Sequence, residues 1–97
     1  MKVKVYQPNE VSIDTFLGKN QKEAYSKDEY HQVWEGNLPR EGEDEKVFLE
    51  KIFEICNIAH PEGYTGHSLS CGDIVEIEEG LFICARLGWA KVQWEEK

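Results

Sequence analysis

Between Pro61 and Ile77 the chain reads PEGYTGHSLSCGDIVEI, which gathers Tyr64, His67, Ser68, Ser70, Cys71 and Asp73 in one short stretch. These are the residue types of nucleophilic catalysis. A serine or cysteine nucleophile needs a base within hydrogen-bond reach and a third group that orients the base. His67 beside Ser70 or Cys71 offers such a set, but side chains one to four residues apart in a loop seldom face one another in that geometry. No nucleophile elbow and no Cys-His family signature surrounds them. The competing reading is a turn, in which Ser70 and Asp73 satisfy backbone donors around Gly72 before an apolar strand begins at Ile74. A structured turn is therefore the first expectation, and a small enzyme using His67, Ser70 and Cys71 is the alternative.

Other chemistry is poorly served. His60, His67, Cys71 and Cys84 are ligand-capable, yet they form no C-x2-C and no H-x3-H pair, so no metal is expected. Gly63, Gly66 and Gly72 follow no phosphate-loop spacing, and no nucleotide or other cofactor is expected. Cys56 and Cys84 sit among apolar neighbours as small hydrophobes. An odd set of three widely spaced cysteines argues for free thiols and an intracellular setting.

Charge points to binding. Nineteen acidic against eleven basic residues leave a net charge of −8, which repels phosphate backbones and disfavours direct nucleic-acid binding. The same charge suits docking on a basic protein groove. Two acidic stretches, Glu41–Glu45 and Glu76–Glu79, supply the candidate partner-binding residues Glu43, Asp44, Glu45, Glu76 and Glu78. Tryptophans and tyrosines are numerous for so small a core, and aromatic side chains often anchor partners. The equally good alternative puts Trp34 and Trp89 in the core and Trp94 on a terminal edge. No apolar run reaches the roughly 18 residues of a membrane span, and MKVKVYQPNE has no apolar signal-peptide region. A cytoplasmic protein with no membrane partner is the expectation.

A chain of 97 residues supports one domain that buries roughly 60–65% of its unfolded surface. KVKVYQ (2–7) alternates as a half-buried strand closed by Pro8, and YHQVWEG (30–36) reads as a second. Between them SIDTFLG suggests a short helix from Ser12 to Gly18, followed by an exposed polar segment. From Glu43 to about Asn57 the period changes to that of a helix. Phe48, Leu49, Ile52, Ile55, Cys56 and Ala59 share one face, and acidic residues occupy the first turn. IVEIE, LFICAR and WAKVQW then predict a three-stranded meander with turns at Glu79-Gly80 and Leu87-Gly88. The fold expected over residues 1–97 is α+β, with one main helix packed on a small, mainly antiparallel sheet that ends in the meander.

The order YHQVWEGNL, then LEKIFEICNIAHPEGYTGHSLSCGDIVEI, then a hairpin ending in LGWAKV resembles the YodL-like domain family of Firmicutes. That family occurs as small stand-alone proteins and as modules of polyvalent proteins on phages and conjugative elements. The resemblance covers about residues 30–93. It is most specific at Tyr64, Gly66, His67, Ser68, Leu69, Ser70, Asp73, Ile74 and Val75, with Cys71-Gly72 departing from the usual pattern. It implies no known reaction. It implies interference by binding, either with a host protein such as a defence effector of the CRISPR or restriction type, or with the bacterial cytoskeleton. On this reading Gly66, Ser68, Ser70 and Asp73 fix the loop backbone, while Tyr64, His67 and Leu69 present a contact surface.

Overall fold

The computed structural model describes residues 1–10 and 22–96. Its first element is the alternating segment, strand β1 (Lys2–Pro8), with Val3 and Val5 buried on one face and Lys2 and Lys4 on the other. Strand β3 (Tyr30–Asn37) lies antiparallel to it. The register steps from Val5 opposite Trp34 to Tyr6 opposite Gln32, so Val33 is an extra residue. That bulge lets the consecutive residues Val33 and Trp34 enter the same core, which strict alternation would forbid.

Helix α1 (Glu45–Ile58) follows, and Asp44 is its N-cap: the side chain accepts from the Val47 N–H at 2.9 Å. Phe48, Leu49, Ile52 and Cys56 are fully buried against the sheet. Ile55 is half-buried and Ala59 exposed, so the buried stripe is narrower than the sequence periodicity suggested.

The predicted meander is present as β4 (Ile74–Ile77), β5 (Gly80–Ala85) and β6 (Gly88–Trp94). Ile77 pairs with Gly80 and Ala85 with Gly88. The two-residue turns are therefore Glu78-Glu79 and Arg86-Leu87, one position earlier than expected. Each glycine opens the following strand at positive φ, +132° and +114°, where a side chain would be strained.

The α+β class holds, and the sheet is mixed. Its order is β2-β6-β5-β4-β1-β3, with β2 (Ala24–Tyr25) running parallel to β6 and every other neighbouring pair antiparallel. Strand β2 corrects the expectation of an exposed polar segment. Tyr25 is buried, and its hydroxyl accepts from the Lys22 N–H at 2.7 Å. Two residues are too short to leave a periodic signal among charged neighbours. A 3-10 turn (Lys27–Glu29) leads from β2 into β3. The expected helix from Ser12 to Gly18 lies outside the described residues.

The sheet is apolar on both faces. The helix side holds Val3, Val5, Trp34, Phe48, Ile52, Val75, Phe82 and Trp89. The opposite side buries Tyr6, Tyr25, Ile74, Ile83 and Val92, with Tyr30 and Trp94 packed on them. Tyr6 meets Trp94 edge-on at 5.3 Å between ring centroids, a favoured aromatic geometry. Trp34 and Trp89 are thus core residues, whereas Trp94 is half-buried on a strand flanked by β2 rather than at a sheet edge.

Candidate functional site: a loop held by side chains

Ser70 to Asp73 form a tight turn closed by the Asp73 N–H on the Ser70 carbonyl at 3.1 Å, with Gly72 at φ +96°. Gly72 donates to the Cys84 carbonyl at 2.9 Å, and Cys84 donates to the Asp73 carbonyl at 2.8 Å. Two residues therefore oppose one, and the first is a glycine at positive φ. This is a glycine-led β-bulge at the mouth of β4, and it explains why Gly72 is needed. Tyr30, reaching over from β3, donates its hydroxyl to the Gly72 carbonyl at 2.9 Å.

The bulge turns the Asp73 side chain inward, where it is about as buried as Gln7, both near 1% exposed. One Asp73 oxygen accepts from the Ser70 N–H at 2.9 Å and from Gln7 Nε2 at 3.1 Å. Burial pushes the carboxyl up to about 6, opposed by the Ser70 N–H, the neighbouring His67 and the Gln7 amide. Desolvation outweighs those favourable contacts.

Gln7 continues the inward row of Val3 and Val5 at the polar end of the core. Its Nε2 also donates to the His67 carbonyl at 2.8 Å, and its Oε1 accepts from the His67 N–H at 3.2 Å. Asn57 on α1 does the same for Leu69: Oδ1 accepts from the Leu69 N–H at 2.6 Å, and Nδ2 donates to the Leu69 carbonyl at 3.2 Å. Two side-chain amides thus take the place of a neighbouring strand. Further anchors are the Trp34 indole N–H on the Glu62 carbonyl at 3.0 Å and the Thr65 N–H on the Val33 carbonyl at 2.9 Å. A Cβ on Gly66 would run into the Gln7 amide and lie 2.8 Å from Val33 Cγ1. Only glycine fits there.

The loop's outer surface is built from rings. His60 stacks on Tyr64 at 4.6 Å and lies 3.3 Å from the Ser68 hydroxyl. The Tyr64 hydroxyl donates to the His67 carbonyl at 2.7 Å, and burial raises its pKa. His67 is exposed and turns Nδ1 toward the Ser68 carbonyl at 2.7 Å, rather than toward Ser70 or Cys71. Leu69 corrects an expectation: it is 3% exposed and belongs to the core, not to a contact surface. Ser68 acts through its carbonyl and sends its hydroxyl to His60, Asp73 accepts from the Ser70 N–H, and Gly66 leaves room for the Gln7 amide. His60 is the surface residue that sequence reasoning missed.

A second region draws the acidic stretches together. Glu43, Glu78 and Glu79 line one open cleft of about 690 Å3 with Met1, Arg40 and Gly42, and Glu76 lines an adjoining one with Lys2 and Ile77. Arg40 clamps Glu79 through two bonds of 2.7 and 2.6 Å and lies over the Phe48 ring at 5.0 Å. That hydrogen-bonded pair holds Glu79 below the ordinary carboxylate range. Glu43 is 3.4 Å from Lys51, and Glu76 is 3.9 Å from Lys4. Asp44 is committed to capping α1 and Glu45 is half-buried in its first turn, so Glu43, Glu76 and Glu78 are the cleft residues among those expected.

A family model of the YodL-like domain matches residues 3–94. The chain belongs to the YodL-like domain family. Among curated proteins and among solved structures none matches the chain. The extent of the family match is informative, because the motif resemblance began only at Tyr30. The YodL-like unit also takes in β1, and with it Gln7, so the family domain contains both sides of the amide network. Within this YodL-like domain, no three histidine, cysteine or acidic groups among the described residues converge as a metal site would require.

Proposed function

We propose that this YodL-like domain is a non-catalytic docking module that binds a protein partner with a basic surface. The observation that carries the reading is the convergence of Glu43 and Glu78 on one cleft beside the Arg40–Glu79 pair, although the two lie on either side of α1 and the 61–73 loop. An acidic concavity favours encounter with a cationic surface and rejects nucleic acid. The exposed rings of His60 and His67, with the half-buried Tyr64 on which His60 stacks, supply a second, aromatic contact area. The family's occurrence on phages and conjugative elements supports interference with a host protein. A defence effector whose groove normally holds nucleic acid fits the acidic surface better than a cytoskeletal filament does.

Affinity capture of the tagged chain from a Firmicute lysate at low and high salt tests this. The expected result is one partner at near-equal stoichiometry that is lost at high salt and lost with the pair Glu43→Gln and Glu78→Lys in a protein that melts normally. Capture that ignores both salt and the double variant overturns the reading.

A further inference from the structure

The three cysteines are free thiols in unlike settings. Cys56 is fully buried in α1. Cys71 is partly exposed at the second position of the Ser70–Asp73 turn, and Cys84 is the β5 residue that the Gly72-Asp73 bulge opposes. Both backbone groups of Cys84 bond to that bulge, at 2.9 and 2.8 Å. Residues paired in this way lie about 5.5 Å apart at Cα, within the range of about 4.4–6.8 Å that a disulfide spans. Cys71 directly precedes Gly72 of that bulge, and its thiol lies near enough to the Cys84 thiol to help raise it.

We propose that Cys71 and Cys84 form a redox-active thiol pair that closes to a disulfide with a small disulfide as oxidant, locking the turn onto β5. The Cys71 thiolate attacks one sulfur of the oxidant, giving a mixed disulfide and releasing one thiolate that takes up the Cys71 proton. The Cys84 thiolate then attacks the Cys71 sulfur and expels the second thiolate, which takes up the Cys84 proton. Two protein thiols are oxidised and one external disulfide is reduced to two thiols. The order follows from access, since Cys71 meets solvent and Cys84 does not. Burial, with Cys71 and Asp73 adding to it, pushes the Cys84 thiol up to about 12. The closing step therefore gains about tenfold per pH unit while thiolate supply limits it.

The test incubates the full chain with oxidised glutathione at pH 7 and pH 9, quenches with acid, and follows intact mass and peptide maps. The expected course is a transient glutathione adduct at Cys71, resolving faster at pH 9 into a Cys71–Cys84 cross-linked peptide pair while Cys56 stays reduced. The oxidised chain should unfold at higher urea than the reduced one. Cys84→Ser should stop at the adduct, and Cys71→Ser should give neither species. A wild-type adduct that persists at both pH values, a cross-link involving Cys56, or no reaction at Cys71 overturns the proposal.

Discussion

The loop from Pro61 to Asp73 and the meander from Ile74 to Trp94 are neighbours held by opposite means. The meander is a ladder of backbone hydrogen bonds between consecutive strands, and its order follows from two short turns. The loop has backbone ties to other strands only at Thr65 and at the Gly72-Asp73 bulge, and elsewhere it borrows its partners from distant side chains: Gln7 on β1, Asn57 on α1 and Trp34 on β3. A backbone ladder tolerates changes of exposed side chains. A loop held by side chains inherits the fragility of each one.

Gln7→Leu should break this contrast most sharply. It leaves the His67 N–H without its partner and takes one of two donors from both the His67 carbonyl and Asp73, and the expected loss is about 4 kcal/mol, at about 1–3 kcal/mol for the orphaned group and about 0.5–1.5 kcal/mol for each hydrogen bond lost. Urea unfolding measures the loss, and limited proteolysis should then cut first between Pro61 and Ser70. Next in size is the pH response of Asp73. Its folded value of about 6 lies above the ordinary 3.8, so the fold favours the protonated form. The resulting stabilisation is complete below pH ~4 and is lost as pH rises through about 6, amounting to about 3 kcal/mol at about 1.4 kcal/mol per unit. Asp73→Asn should flatten that part of the stability profile; an unchanged slope would show that another group carries it.

Gly66→Ala should cost about 2 kcal/mol through overpacking against Gln7 and Val33, and the thermal midpoint should fall accordingly. Asn57→Ala should cost about 1–2 kcal/mol by freeing both backbone groups of Leu69, with hydrogen exchange at Leu69 accelerated more than at Ile83. The smallest effect belongs to the meander. Leu87, 97% exposed in a turn, should accept serine with a change within about 0.5 kcal/mol, and a larger loss would erase the contrast.

The same contrast explains what could be read from residue order. Helix α1 announces itself by Asp44 and the Phe48, Leu49, Ile52, Cys56 stripe, and the meander by its glycines, because both depend on contacts close in sequence. Gln7 was passed over: strand parity sets it with Val3 and Val5, but a glutamine at a strand end beside Pro8 reads as one more polar residue. Its partner lies in a loop some sixty residues away. Leu69 was misread as surface because it stands between polar neighbours, although a lone leucine in such a loop is often its anchor to the core. The Val33 bulge and the parallel pairing of β2 left no local signature, since register and strand order are decided by tertiary packing. Both acidic stretches were visible; that they share a cleft was not.

Strand β1 is an interior strand, one in from the sheet edge, between β3 and β4. During translation at about 5–20 residues per second, β1 leaves the ribosome several seconds before β4 exists. The backbone edge that β4 will cover, from Lys4 to Tyr6, must stay unpaired for that interval. Nascent-chain arrest upstream of β4 should therefore leave a half-built sheet that chaperones bind, and release past β6, which joins β5 to β2, should set the whole domain at once.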